Sequence, residues 1–350
     1  MNKIRLAVIF GGNSTEYGVS LQSAASVLKN LNTDRYDVYP IGITREGQWY
    51  RYAGSYENIN GGGWFEDSEN LFPIVFSPNR VLGGFIEEIN GGFERLEVDL
   101  AFPVLHGRNG EDGTVQGMLE LAGIPIVGCG TLSSALCMDK DRAHRLAAAA
   151  GIAVPKSVVF KRTEQMEAPQ RIARKFKLPL FIKPVRSGSS FGISRVTALS
   201  ELEEAVAEAF LHDFEIIAEE NIDGFEVGCA VMGNDRLTVG RVDEIELSEG
   251  FFDFTEKYTL KSSRIHMPAR IDGETEARIR ETAKSIYRAL GCSGFARVDM
   301  FLTPSGRIVF NEVNTIPGFT AHSRFPNMMK GIGMSFPRML DRLIGLCAKK

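Results

Sequence analysis

The strongest constraint on how this chain can fold is the alternation of short apolar runs with helical stripes along its first 128 residues. "RLAVIFGG" (5–12) reads as a buried strand. "VSLQSAASVLKNL" follows with apolar or small residues at 21, 24, 25, 28 and 31, the spacing of one helix face. "YDVYPIGIT" and "VDLAFPVLHG" are further strands. "TVQGMLELAGI" repeats the stripe at 115, 118, 119 and 122, with Gly123 as its stop, and "PIVG" closes the segment. Such alternation predicts a parallel α/β sheet with helices on both faces. Residues 53–95, with clusters such as "NGGGW" and "NGGF", read as hairpins and loops decorating it.

At 350 residues, two or three domains are expected. The boundaries fall at 1–128, 129–218 and 219–350. A net charge of −4 argues against nucleic acid or an anionic membrane as the main partner. The apolar run after Met1 is too short for a signal peptide, and nothing reaches transmembrane length. Cys129, Cys137, Cys229, Cys292 and Cys347 are odd in number and scattered through apolar contexts. They read as buried thiols of a reducing cytoplasm.

The second unit holds a helix through "DKDRAHRLAAAAGI", strands "KSVVF", "LPLFIKP" and "EIIAEE", a loop "RSGSSFG" and a helix "ELEEAVAEAFL". In the third, strands "FEVGCAVM" and "RLTVGRVDEIEL" lead into a charged, aromatic loop, "SEGFFDFTEKYTLKSS". A long helix, "ETEARIRETAKSIYRAL", precedes the pair "ARVDMFL" and "RIVFNEVN", and a last helix begins at Ser335.

That pair carries the sharpest chemical signal. An apolar strand ending in Glu312 and Asn314 points two oxygen donors the same way. As a hairpin, "RVDMFLTPSGRIVFNEVN" brings Asp299 near them, with a diagonal neighbour at ~7–8 Å. Two carboxylates and an amide suit Mg²⁺ held together with substrate phosphates; the alternative is a strand end in water. Lys183, closing an apolar strand before the Gly/Ser loop, offers a cation beside a backbone anion nest. The Walker order is absent, which disfavours P-loop chemistry. Lys140 is a second cation, with an exposed surface lysine as the default. Glu219, Glu220 and Glu226 are candidates for nucleotide polar groups or for solvated residues. Glu16 opens a helix, and His106 ends a strand at the edge where parallel sheets bind ligands.

The ordered motifs "IFGGNSTEYGVSLQSA", "VLHGRNGEDGTVQG", "CMDKDRAH", "FIKPVRSGSSFG", "EVGCAV", "FTEKYTLKSS", "GCSGFARVDMF" and "FNEVNTIPGFTAHSRFPNM" run over nearly the whole chain. Together they resemble the D-alanine–D-alanine ligase family of ATP-grasp enzymes. The resemblance implies an N-terminal parallel α/β domain followed by a two-domain ATP-grasp fold. It also implies ATP-dependent joining of two D-amino acids through a D-alanyl phosphate for peptidoglycan, in a cytoplasmic homodimer.

Carried over, it gives Asp299, Glu312 and Asn314 two Mg²⁺ (or Mn²⁺) ions. Lys140 and Lys183 would contact ATP phosphates beneath Ser189 and Ser190, Glu219 the adenine and Glu226 the ribose, with Glu220, Lys257 and Asn311 on the nucleotide side. Glu16 would take the ammonium of the first D-alanine, with Val19 and His106 beside that substrate. Arg297 and the Gly318 N–H would form the oxyanion site. Glu16, Ser189 and Tyr258 would tie the loop over the site.

Phe252 and Phe254 stand where the ordinary lid carries tyrosines, and Arg324 follows Ser323 where an apolar residue is usual. With Asp243, these departures resemble the D-alanine–D-serine branch of vancomycin resistance, especially its G type; D-alanine–D-alanine ligation is the alternative. An Arg beside the second pocket adds a donor for a serine hydroxyl, and a site built to bond a hydroxyl can reject the analogue lacking it. A NAD-linked dehydrogenase is disfavoured because Gly-x-Gly-x-x-Gly is missing. A non-catalytic nucleotide module would not need Arg297, Tyr258 and Ser189 together. D-Lactate ligation is disfavoured by Tyr258.

Overall fold

β1 (Ile4–Gly11) lies between two parallel neighbours, β2 (Tyr36–Ile43) and β7 (Leu100–Pro103). The computed structural model describes residues 3–188, 191–247 and 263–347. Leu6, Val8 and Phe10 join a core with the helix Tyr17–Asn30, while Ala7 and Ile9 join one with the helix Thr114–Leu121. Burial on both faces explains why the β1 sequence is continuously apolar.

The sheet departs from the expectation at one edge. β3 (Trp49–Tyr52), β4 (Leu71–Phe76), β5 (Phe85–Ile89) and β6 (Gly92–Leu96) extend β2 antiparallel, giving the order β6-β5-β4-β3-β2-β1-β7. Residues 53–95 hold the expected hairpins, β4–β5 and β5–β6, but these extend the main sheet instead of decorating it. Their glycines mark the turns, and their apolar residues, such as Ile74 and Phe85, are buried. Trp64 anchors this region: fully buried, it donates its indole N–H to the Tyr17 hydroxyl at 2.8 Å.

The middle of the chain forms an antiparallel sheet in the order β10 (Ser194–Val196), β9 (Leu180–Pro184), β11 (Glu215–Glu220), β8 (Ser157–Lys161). Phe160, Leu180, Ile182 and Ile216 share its core with the helices Ala168–Lys175 and Leu202–His212. β11 ends at Glu220, just beyond the boundary expected at 218/219.

A five-stranded antiparallel sheet completes the fold, in the order β14 (Ser263–His266), β13 (Thr238–Leu247), β12 (Phe225–Met232), β15 (Phe295–Leu302), β16 (Ile308–Asn314). One face packs Val227, Cys229, Val298 and Met300 on the helix Gly273–Ala289. The last helix, Phe336–Cys347, returns to the first unit. Its Met339, Leu340, Leu343 and Ile344 share the core of Leu6 and Val8, and Tyr36 donates to Asp341 at 2.8 Å.

The five cysteines are free. Scattered in sequence, three of them converge: the Cys137 and Cys292 sulfurs lie 3.7 Å apart, and Cys129 donates to the carbonyl of Ser293, the residue after Cys292, at 3.4 Å.

Candidate active site

The acidic strand end is built by a β-bulge. Asp299 pairs directly with Glu312 and Arg297 with Asn314, but Met300 pairs with Phe310, leaving Asn311 as the extra residue. A bulge re-aims the side chains beyond it. Phe310 therefore points into the core with Met300 while Glu312, two residues on, points to the opposite face. The two carboxylates are direct partners across the ladder, closer than the diagonal arrangement expected.

The register builds one polar row across four strands: Asp243 on β13, Gly228 on β12, Asp299 on β15 and Glu312 on β16. Gly228 is the gap in that row. A Cβ there would lie 2.2 Å from Arg324 Nη2 and 2.6 Å from Asp243 Oδ1. The Arg324 guanidinium fills this space. Its Nε and Nη2 donate to the two oxygens of the fully buried Asp243, each at 2.8 Å. Nη1 donates to Glu226 at 2.8 Å and lies 3.3 Å from Asp299.

Asp299 also accepts from Arg297 Nη2 at 2.7 Å and from Asn314 Nδ2 at 3.0 Å. Burial pulls the Arg297 pKa down, but the adjoining Asp299 charge more than offsets this and raises it. Two carboxylates with an amide fit Mg²⁺, which takes one or two carboxylates plus phosphate oxygens.

Beside this row, a cavity of about 500 Å³ opens between the four- and five-stranded sheets. Phe181, Ile193, Ile245 and Phe301 give it apolar walls. Lys140, Lys183, Glu219, Glu220, Glu226, Asn311 and Glu312 all line it, so the nucleotide-side candidates among the described residues converge on one space. Lys183 donates to Glu219 Oε2 at 2.5 Å. Glu219 Oε1 and His144 Nδ1, both buried, have no hydrogen-bond partner among the described residues. Burial would raise the Glu219 pKa, yet Lys183, His144 and Lys140 together hold it below the usual value. Lys140 is buried, not the exposed lysine of the default reading, and donates to the Ser187 carbonyl at 2.7 Å.

On the N-terminal side, Glu16 is buried at the start of its helix without a side-chain cap. Gly107, at φ +72°, and Gly188 leave room for its carboxylate: a Cβ at either would lie 2.4 or 2.9 Å from Glu16 Oε2. Val19 sits half-buried in the same first turn. His106 is buried, its Nε2 3.2 Å from Ser23 Oγ, and burial lowers its pKa. Ser23 Oγ in turn accepts the Phe319 N–H at 3.2 Å. This brings the Gly318 turn beside His106. The Ser323 hydroxyl accepts the Thr320 N–H at 2.9 Å and faces Gly318. Ser189, Ser190, Phe252, Phe254, Lys257 and Tyr258 lie outside the described residues.

Sequence reasoning missed Glu111. It accepts the Gly107 N–H at 2.9 Å and the Ile316 N–H at 3.3 Å. Burial first, and then the nearby Glu16 charge, push its pKa up to about 8. In "RNGEDG" it reads as a solvated turn residue, and its second partner is 205 positions away.

A cleft between an ATP-grasp pair of sheets, with lysines on one wall and facing carboxylates on the other, defines the class. The chain belongs to the D-alanine–D-alanine ligase family, an ATP-dependent ligase family. Its sequence matches the family models for the D-ala D-ala ligase N-terminus over residues 5–129 and the C-terminus over residues 146–345. The crystal structure of VanG D-Ala:D-Ser ligase from Enterococcus faecalis is 66% identical, with a TM-score of 0.92 over 99% of each chain. The vancomycin B-type resistance protein VanB of Enterococcus faecalis is 46% identical over the full length of both chains. A D-alanine–D-alanine ligase from Caldicellulosiruptor bescii is 42% identical, over 100% of this chain and 96% of that one.

Proposed function

We propose that this protein joins D-alanine to D-serine at the expense of ATP, through a D-alanyl phosphate, supplying a modified peptidoglycan stem of the vancomycin-resistance type. The observation that carries the ligase chemistry is the direct Asp299–Glu312 pairing at the inner wall of the cavity lined by Lys140 and Lys183. The D-serine preference rests on Arg324, which follows Ser323 in the chain and pairs with buried Asp243, and on the 66% identity to a D-Ala:D-Ser ligase. D-Alanine as second substrate remains the alternative reading, supported by the family's D-alanine–D-alanine members.

In this reading the apolar walls Phe181, Ile245 and Phe301 take the adenine, and the unpartnered oxygen of Glu219 accepts its amino group. Glu226 reaches the ribose, and Lys140 and Lys183 meet phosphate oxygens. Asp299, Glu312 and Asn314 would hold two Mg²⁺ (or Mn²⁺) ions, which supply charge neutralisation for a carboxylate approaching a phosphoryl group. Glu16 receives the ammonium of the first D-alanine, and neutral His106 donates to its carboxylate. After acyl phosphate formation, Arg297 and the Gly318 N–H stabilise the oxyanion raised by the second amine; loss of such a donor costs ~10²–10³ in turnover. Glu16, Ser189 and Tyr258 would tie the loop that keeps water from the acyl phosphate, with Lys257 on its nucleotide side.

The same reading assigns 1–128 to the first substrate, 129–218 and 219–350 to the nucleotide grip, and a cytoplasmic homodimer as the working form. Among the described residues no helix is long and apolar enough to cross a membrane. The test is phosphate release and product mass with D-alanine alone and with D-alanine plus D-serine. D-Ala-D-Ser should dominate the mixture; exclusive D-Ala-D-Ala would overturn the substrate assignment while leaving the ligase.

A further inference from the structure

Gly318 sits in a turn after β16, the segment from Ile316 to Phe319, which belongs to the third unit. The residues that hold this turn belong to the first. Glu111 Oε1 accepts the Ile316 N–H at 3.3 Å, while its Oε2 accepts the Gly107 N–H at 2.9 Å, next to His106. On the other side of Gly318, Ser23 Oγ accepts the Phe319 N–H at 3.2 Å and lies 3.2 Å from His106 Nε2. Ser23 is fully buried, as is Phe319, and Ile316 is 5% exposed. The Ile316 backbone also meets the His106 ring. The peptide groups flanking Gly318 are therefore strapped to the same wall that carries Glu16 and His106.

We infer that Glu111 and Ser23 are positioning residues: a two-point strap from the N-terminal unit that fixes the Gly318 N–H relative to the first substrate's carboxyl group. This rests on the ligase reading, in which that N–H faces the oxyanion that forms at the acyl carbon. Neither side chain touches reacting atoms. Their effect is geometric, and a displacement of ~1 Å at such a centre can cost ~10²-fold. Stabilising the oxyanion matters most when the second amine attacks, whereas phosphoryl transfer depends on the nucleotide cavity. The strap should therefore govern how much acyl phosphate becomes dipeptide.

The experiment uses the full chain, with Glu111→Gln, Ser23→Ala and the double variant, under D-alanine plus D-serine. Glutamine keeps one acceptor oxygen but turns an NH₂ toward one of the two N–H donors. Phosphate release and dipeptide are measured together, with the KM for ATP and thermal unfolding as controls. The expected result is a fall of about tenfold in dipeptide formed per phosphate released in the double variant, with the KM for ATP within about twofold of wild type. A merely structural role would lower both products in step with the folded fraction. Tight coupling in a folded double variant would overturn the strap. Should Glu111→Gln fail to fold, Ser23→Ala alone decides by the same ratio. A wild-type enzyme that forms no dipeptide would overturn the ligase reading itself, a distinct outcome.

Discussion

Two buried ion pairs, Lys183–Glu219 and Arg324–Asp243, stand on either side of the site and are satisfied to different degrees. Arg324 and Asp243 meet through two hydrogen bonds, Asp243 also accepts the Gly228 N–H at 3.0 Å, and Arg324 reaches Glu226 as well. Lys183 and Glu219 share one hydrogen bond, and the second oxygen of Glu219, 3.6 Å from His144 Nδ1, has no hydrogen-bond partner among the described residues. A buried acceptor without a partner costs ~1–3 kcal/mol. Such a cost on a cavity wall is offset when a ligand brings the donor. The Arg324–Asp243 pair is thus architecture, and in the proposed function the Lys183–Glu219 pair is the one that meets a ligand.

Arg324→Leu should show the largest effect. It leaves Asp243, Glu226 and Asp299 clustered without the cation that links them, and breaking a buried pair in this way costs ~3–5 kcal/mol. Urea unfolding should report a loss of that order, and an unchanged midpoint would show that Arg324 is no scaffold. Gly228→Ala attacks the same network from below by placing a Cβ 2.2 Å from Arg324 Nη2. Overpacking of this kind costs ~1–3 kcal/mol. The two changes share a contact, so their effects should not add. Strict additivity would mean that the alanine is absorbed elsewhere.

Glu219→Gln tests the other pair and should behave differently. The amide still accepts from Lys183 and lines an open cavity, so unfolding should shift by less than ~1 kcal/mol. The KM for ATP should rise about tenfold, the equivalent of one charge-assisted hydrogen bond. If stability falls as far as in Arg324→Leu while the KM for ATP holds, the contrast between the pairs is wrong.

The sequence made this contrast legible in part. The strand–helix alternation of 1–128 and the hairpin holding Asp299 and Glu312 were readable because both rest on local periodicity. The antiparallel extension β3–β6 was not, since its glycine-rich turns masked short strands. The bulge at Asn311 leaves no mark in a run such as "IVFNEVN", yet it decides which face Glu312 takes. The short helices Ala168–Lys175 and Arg324–Lys330 carry internal prolines and too few turns for a stripe. Arg324 was singled out, but its partners come from β12, β13 and β15, and only the folded register assembles them.

The smallest expected effect concerns pH, and it extends the comparison to two carboxyls shifted in opposite directions. Glu219 is held below its ordinary value, so the stability it contributes is present above the unfolded-state pKa and is lost as acid approaches the folded one. Glu111 is pushed up to about 8 by burial and the Glu16 charge, with the Gly107 and Ile316 N–H donors and then Arg297 opposing. Its folded form holds a proton that the unfolded chain has released above ~4.3. The contribution of Glu111 is therefore complete below that value and fades as pH rises toward about 8. One proton sets a ceiling of ~1.4 kcal/mol per pH unit. Glu111 is partly accessible, so ~0.5 kcal/mol per unit is the expected slope between pH 5 and 8. Urea midpoints of wild type should decline across that window while those of Glu111→Gln stay flatter. Parallel curves would mean that Glu111 is ionised throughout and holds its two N–H donors as a carboxylate.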